Sequence, residues 1–183
     1  MDAALLKQAI EYAKTRDSSW GKTDYMADQV RTFGRPLGKV PPSHGPTPRL
    51  AQQDQSFEPR VVVVVAGGTV DFPNFDPIYH NVFSVSPVKR FDLGKYPRGQ
   101  SRSVRFPAPG VVSVFCDIHA DMSAFIVVVP NAAWVRPGAD GQFALSGLPA
   151  GQYEFHWWHP DFVSGVADVT VPANGDTPFD VSF

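Results

Sequence analysis

The stretch that most constrains this chain is 110–129, where two apolar runs flank a short polar segment. The run at 111–115 leads into Cys116, the only cysteine of the 183 residues, and a second run follows at 124–129. His119 and Met122 lie between the runs, each three residues after the preceding one. Short apolar runs bounded by turn residues indicate buried strands. The sequence therefore predicts a strand, a tight loop with a thiol, an imidazole and a thioether, and a second strand.

These three side chains are ligands that a soft metal ion prefers. One further imidazole would complete the set of two histidines, one cysteine and a weak axial methionine that holds copper in electron-transfer sites. The candidate is His80, which precedes Cys116 by 36 residues (116 − 80) in another strand-like stretch.

Other interpretations of Cys116 stay open at this point. A lone cysteine is often a buried, inert thiol. Zinc also binds one cysteine and two histidines, but it prefers a harder fourth ligand or water. A catalytic Cys-His pair would need a third group and an oxyanion loop, and no candidate for either stands out. A dinuclear copper site would need a second cysteine.

The motif Cys116-x₂-His119-x₂-Met122, with the upstream pair His80-Asn81, resembles the copper-ligand motifs of the cupredoxins. Within that family, the chain resembles bacterial methylamine-utilisation-like cupredoxins that also carry a carboxypeptidase-regulatory-like β domain. The similar stretches are 70–99, 116–122 and 143–160, within roughly 52–160.

The resemblance implies an all-β protein, in which a Greek-key cupredoxin β-sandwich holds one mononuclear blue-copper ion. The implied ligands are His80, Cys116, His119 and, as the axial ligand, Met122. Asn81 would tie the His80 strand to the Cys116 loop. The interval between His119 and Met122 is shorter than in small cupredoxins such as plastocyanin, so this chain departs from the family's pattern at the axial position.

Composition excludes several classes of protein. Eighteen prolines and 15 glycines favour short strands joined by turns. No apolar stretch approaches the ~20 residues of a membrane-spanning helix. The net charge is −2 and no dense basic block is present, so nucleic acid is not an expected partner. A single cysteine excludes an intramolecular disulfide.

The pattern along the chain predicts four segments. Residues 1–33 carry apolar residues at helical spacing, and 34–50 form a linker rich in proline and glycine. Residues 51–130 make up the cupredoxin domain. Residues 131–183 form a small transthyretin-like or regulatory-like β unit, which follows the cupredoxin domain in the sequence.

A long polar loop is expected at 86–101. Strands are expected at six places in the cupredoxin domain: 61–65, 69–72, 78–85, 103–106, 111–115 and 124–129. The second unit supplies about four more, at 142–145, 153–159, 166–171 and 179–183. Along 153–159, Tyr153, Phe155, Trp157 and His159 should share one face, because strand side chains alternate. Ile118, Ala120 and Pro130 should form an apolar patch near His119.

The predicted function is one-electron transfer in the periplasm by a protein that is not an enzyme and that meets a redox partner protein. The first residues lack the profile of a signal peptide, so export would require a targeting segment outside this sequence. The alternative is a copper- or ligand-sensing extracytoplasmic domain of a larger membrane-bound signalling protein. No membrane insertion by this chain itself is expected.

Overall fold

The structure, a computed structural model, describes residues 46–181. The predicted helical segment at 1–33 and most of the predicted linker lie outside these residues. The described part of the chain is all-β, as predicted, and contains no helix that could cross a membrane. Its strands are β1 (Ala51–Gln53), β2 (Ser56–Glu58), β3 (Val61–Val65), β4 (Thr69–Pro73), β5 (His80–Ser84), β6 (Phe91–Tyr96), β7 (Ser101–Arg105), β8 (Gly110–Phe115), β9 (Ser123–Val129), β10 (Gly151–Trp157) and β11 (Gly165–Val171).

One layer of the fold is a five-stranded sheet with the order β3-β9-β8-β5-β6. The pair β3 and β9 is parallel, and the other neighbours are antiparallel. The five valines of β3 alternate between half-buried and buried positions, which places Val62 and Val64 towards the interior. β-Branched side chains favour such a strand because they pack well on a pleated surface.

The second layer contains the antiparallel pairs β4-β7 and β1-β2. Two isolated bridges, Arg49 with Asp71 and Gln52 with Asn74, align the start of the described chain with β4. The chain therefore passes repeatedly between layers, and strands that are adjacent in a sheet are often distant in sequence. This is the pattern expected of a Greek-key sandwich.

The hydrophobic core lies between the two layers. Inward-facing residues of both layers form one cluster, which also includes Cys116 and Met122. Several of these side chains are fully shielded from solvent: Leu50, Val70, Phe72, Val82, Tyr96, Phe106, Val112, Val114 and Ile126. Because the cluster is continuous up to the loop after β8, that loop is attached to a closely packed base.

The prediction of a loop throughout 86–101 is wrong, because β6 lies within it. β6 is an edge strand, so half of its backbone groups need no partner and polar side chains are tolerated. Its register against β5 shifts between Asn81 and Phe83. Gly94, at φ +64°, lies at this irregularity, and its N–H donates to Asp92 Oδ1 over 2.8 Å. A glycine in a polar strand resembles a turn in sequence, which explains the error.

The described residues divide into two compact units, 46–132 and 133–181. The second unit contains one antiparallel ribbon, β10-β11, paired from Gly151 with Val171 to Trp157 with Gly165. The proposed identity of residues 131–183 as a regulatory-like domain stays a prediction.

The ribbon confirms the predicted alternation as far as Trp157, where β10 ends, but not the predicted number of strands. Along β10, Tyr153, Phe155 and Trp157 are half-buried and the intervening residues are exposed. Within 133–181, the segments at 142–145 and 179–181 are not strands. Their aromatic residues instead pack on Phe155: the Phe143 ring stacks at 5.7 Å and the Phe179 ring lies at 4.8 Å. The prediction that these segments form strands is therefore wrong for the residues described, because their rings pack on Phe155 without backbone pairing.

Candidate metal centre

The sheet register brings His80 and Cys116 to the same end of the sandwich. His80 is the first residue of β5, and Cys116 directly follows β8. The two strands pair antiparallel at Phe83 and Phe115, whose rings lie 5.9 Å apart. Because the strands run in opposite directions, the beginning of β5 and the end of β8 meet at one edge.

The loop between β8 and β9 is closed by its own backbone. The N–H of Cys116 donates to the carbonyl of Met122 over 3.3 Å, and the N–H of Met122 donates to the carbonyl of His119 over 3.1 Å. The last strand pair below the loop is Phe115 with Ser123. These bonds make a short turn that holds Cys116 at its base and directs His119 back over it.

The side chains of His80, Cys116 and His119 form one cluster of potential ligands, with all donor atoms within 4.8 Å. Cys116 Sγ lies 3.8 Å from His80 Nδ1 and 4.0 Å from His119 Nδ1. The two Nδ1 atoms are 3.2 Å apart. His80 and Cys116 are buried, whereas His119 is half-buried. Within residues 46–181 this is the one such group of histidine, cysteine and carboxylate side chains.

The size of this triangle fits a single metal ion. Proteins hold such ions at about 2.0–2.1 Å from imidazole nitrogen and about 2.3 Å from thiolate sulfur. With sides of 3.2, 3.8 and 4.0 Å, the three donor atoms are spaced so that one ion at those distances could contact all of them. Two imidazoles and one thiolate are the donor set typical of copper electron-transfer sites, whereas structural zinc sites use four protein ligands.

His80 contacts a buried carboxylate on the side of the ring away from the cluster. His80 Nε2 lies 2.7 Å from Asp76 Oδ2, and both side chains are almost completely buried. Burial by itself would raise the pKa of Asp76. Hydrogen bonds from Gln55 N–H, from His80 and from Asp54 N–H outweigh this effect and hold the pKa of Asp76 below its ordinary value of 3.8. Asp76 is therefore a carboxylate at neutral pH.

Below the cluster, Tyr96 anchors the strand that pairs with His80. Tyr96 is opposite His80 in the β5-β6 register and is fully buried. Its hydroxyl donates to the carbonyl of Phe72 over 2.8 Å and accepts a bond from Gln52 Nε2 over 2.6 Å. Burial is the main cause that raises the pKa of Tyr96 to about 12. The neutral phenol thus joins the two layers beneath the site.

Met122 and Asn81 were both predicted to act at the site. Met122 is 1% exposed and belongs to the core cluster. Asn81 is also buried on β5, and its Oδ1 has no hydrogen-bond partner among the described residues. Axial ligation by Met122, and the tie between Asn81 and the Cys116 loop, stay predictions.

The apolar patch predicted near His119 is only partly present. Ile118 and Ala120 are exposed on either side of His119. Pro130, in contrast, follows the far end of β9, which begins beside the loop at Ser123. A seven-residue strand at about 3.3 Å per residue separates the two positions by roughly 20 Å. The inclusion of Pro130 in the patch was therefore wrong, since a strand carries the chain directly away from the loop.

Asp76 is a site residue that the sequence analysis missed. It precedes His80 by four residues (80 − 76) in a proline-containing bend, where an aspartate is normally interpreted as a turn former. An acidic residue close to a candidate ligand is the one local signal that could have identified it.

No protein-family model matches this chain, and no curated protein matches it either. Among solved structures, the chain is similar to a Cu(I) amicyanin variant at 22% identity, with a TM-score of 0.42, over 45% of this chain and 81% of that one. It is also similar to a purple cupredoxin from Nitrosopumilus maritimus at 18% identity, with a TM-score of 0.41, over 44% and 98%.

A third similar structure is a copper-containing nitrite reductase from Thermus scotoductus SA-01, at 24% identity and a TM-score of 0.43. There the similarity spans 56% of this chain and 25% of the reductase. The β-sandwich and the His-Cys-His cluster described above are two of the features that the sequence resemblance to the cupredoxins implied, and both are confirmed.

Proposed function

We propose that this chain is a mononuclear copper protein that transfers single electrons. The observation that carries the proposal is the triangle of His80 Nδ1, Cys116 Sγ and His119 Nδ1, whose sides are 3.2–4.0 Å. A thiolate and two imidazoles bind both oxidation states of copper, so the bound ion supplies a reversible one-electron couple.

The residues of the chain favour transfer by holding the ligands still. His80 begins a strand that is buried along its length, and Cys116 follows a strand of the central sheet. Backbone bonds at Cys116 and Met122 fix the turn that carries His119. Little ligand movement is then needed when the oxidation state changes, because the donors are attached to a packed core.

His119 is the route by which an electron would enter or leave. It is half-buried, whereas the other two donors are shielded from solvent. Ile118 and Ala120 on either side of it are exposed and apolar, a surface that a redox partner protein could cover without losing hydrogen bonds. We therefore place the proposed partner at this edge, in the periplasm, where cupredoxin-type electron carriers work.

A role as an electron carrier rather than an enzyme is also part of the proposal. Among the residues that the structure describes, a single cluster offers three metal-binding side chains. An enzyme that reduces a substrate at a second copper ion would need another such cluster. The predicted sensing role has no observation in residues 46–181 that favours it over electron transfer.

The thiolate provides the decisive test. Protein loaded with Cu(II) should show an intense visible sulfur-to-copper band that ascorbate bleaches and oxidant restores. Cys116→Ser should abolish the band, and His119→Gly should change it and allow added imidazole to bind. His159→Gly, a histidine change in the other unit, is the matched control and should leave the spectrum unchanged. An unaltered spectrum in the Cys116 variant would refute the proposal.

Met122 calls for a separate measurement. If its thioether is a weak axial ligand, Met122→Leu should keep the visible band and raise the reduction potential, because loss of a donor disfavours Cu(II). Leucine conserves volume, so the buried position should remain filled. A variant with the potential and electron-spin spectrum of the original protein would show that Met122 serves packing alone.

A further inference from the structure

Asp76 is a buried carboxylate next to a predicted metal ligand. It is 5% exposed, and its carboxylate accepts hydrogen bonds from three separate N–H groups. One is from His80 Nε2 at 2.7 Å, and the others are from the backbone of Asp54 at 2.6 Å and Gln55 at 2.9 Å. A carboxylate buried at a sandwich edge is costly unless it is bonded in this way.

The two backbone donors come from the turn between β1 and β2. Both residues of that turn have left-handed backbone angles, with φ 53° at Asp54 and φ 56° at Gln55. Non-glycine residues adopt this region reluctantly, and glutamine more so than aspartate. This conformation directs both N–H groups at the carboxylate of Asp76. The backbone N–H of Asp76 in turn donates to Asn74 Oδ1 over 2.9 Å. A turn of the second layer thus orients a side chain that contacts a predicted ligand of the first layer.

The contact fixes which nitrogen of His80 is available to a metal. An ionised carboxylate only accepts hydrogen bonds, so the proton of the neutral imidazole must be on Nε2. The lone pair is then on Nδ1, the atom that lies 3.2 Å from His119 Nδ1 and 3.8 Å from Cys116 Sγ. In metal sites, a carboxylate behind a histidine ligand orients the ring and raises its basicity.

We propose that Asp76 is a positioning residue that makes His80 an Nδ1 ligand and that biases the bound ion towards its more oxidised state. The inference rests on the copper site proposed above and goes beyond it. A buried negative charge one imidazole away from the ion stabilises the higher positive charge more than the lower one, since the local dielectric is low. The β1-β2 turn serves this role by holding the carboxylate in place.

The test compares three variants of the full chain loaded with copper. Asp76→Asn removes the charge and keeps the shape, Asp76→Glu keeps the charge, and Asp121→Asn removes an exposed carboxylate from the ligand loop itself. The readouts are the ratio of Cu(I) to Cu(II) at a fixed solution potential and the affinity for Cu(II). A merely structural role for Asp76 would not move the first of these.

We expect Asp76→Asn to raise the Cu(I) to Cu(II) ratio about tenfold, which for one electron is about 59 mV. The affinity for Cu(II) should fall about 10- to 100-fold, as for other residues behind a ligand. Asp76→Glu should keep the Cu(I) to Cu(II) ratio close to that of the original protein. Asp121→Asn should change it less than about twofold, because solvent screens an exposed charge. A ratio unchanged in Asp76→Asn, or changed no more than in Asp121→Asn, would overturn the proposal.

A second measurement needs neither a variant nor copper. Nitrogen chemical shifts of the histidine rings in the metal-free original protein at neutral pH report where each proton resides. A proton on Nε2 of His80 supports the assignment, and a proton on Nδ1 would overturn it even if Asp76→Asn did not fold. Absence of the visible copper band in the original protein would refute the proposed function instead, so the two failures are distinguishable.

Discussion

The two units of this chain solve the problem of burying aromatic and apolar side chains in different ways. In 46–132, two layers enclose a core in which large side chains such as Phe72 and Tyr96 have no exposed surface. In 133–181, no described residue reaches that degree of burial. The ribbon β10-β11 instead covers one face with rings, and Trp157 lies against Gly165, where a side-chain carbon would come within 2.3 Å of its ring.

The two units also differ in how they surround polar groups. Each unit has a histidine next to a carboxylate: His80 and Asp76 are 2.7 Å apart and buried, whereas His156 and Glu154 are 3.7 Å apart and partly exposed. Water competes for the second pair and not for the first. A histidine-carboxylate pair therefore has a fixed geometry only where a core surrounds it. A redox site needs such fixed geometry.

The largest expected effect is the difference in stability cost between removing an aromatic ring from the core and removing one from the ribbon. Phe72→Ala should destabilise the sandwich by about 3–5 kcal/mol, because it leaves a cavity in a closed core. Phe155→Ala should cost the ribbon about 1–2 kcal/mol, since its half-buried ring loses contacts but solvent fills the space.

Two signals distinguish the units during denaturant unfolding. The copper band reports on the sandwich. Three of the four tryptophans, at 134, 157 and 158, are in the second unit, so a Trp20→Phe background makes fluorescence specific to it. Equal costs for the two alanine variants would contradict the distinction between an enclosed core and an open face.

A smaller effect is expected for two tyrosines that both donate to a backbone carbonyl. Tyr96 donates to Phe72 inside the core, and Tyr153 donates to Pro149 over 2.7 Å at the surface. Tyr96→Phe should cost about 1–2 kcal/mol, because the buried Phe72 carbonyl loses the shorter of its two side-chain donors, at 2.8 Å against 3.3 Å for Gln52 Nε2. Tyr153→Phe should cost less than about 0.5 kcal/mol, as water replaces the hydroxyl. Similar values for both would mean that burial does not determine the cost.

Because of Tyr96, the free energy of unfolding should also depend on pH in the alkaline range. The pKa of Tyr96 is raised to about 12 in the folded protein, from 10.0 in the unfolded chain. The stabilisation is therefore complete below pH 10 and is lost as the pH rises towards 12. The free energy of unfolding should decline over this interval in the original protein, and less steeply in Tyr96→Phe. A decline that is equal in both would contradict the assignment.

The smallest effect on stability is expected for the partly exposed pair of Glu154 and His156. Glu154→Gln should change the free energy of unfolding of the ribbon by less than about 0.5 kcal/mol, because solvent screens the His156 contact. Tryptophan fluorescence in denaturant measures it. A cost above about 1 kcal/mol would show that the pair is better shielded than its 3.7 Å separation and exposure indicate.

Sequence reasoning succeeded where a signal is local. The valine run of β3 and the apolar runs of β8 and β9 have the β-branched character of buried strands, and the structure has strands there. It failed at β6, where a strand is stabilised by its neighbour rather than by its own residues. It also failed at 142–145, where Phe143 packs on a ring instead of pairing its backbone.

For the site, the chain itself determined the donor types and the spacing of Cys116 and His119, since both belong to one loop closed by bonds between near neighbours. Only the tertiary structure decided that His80 lies within 4 Å of them and that Asp76 stands behind it. The reason is that these contacts depend on the register of strands 36 residues apart and on a turn of the other layer. No residue pattern within a short window encodes such a register, because it is the shared core that aligns the strands.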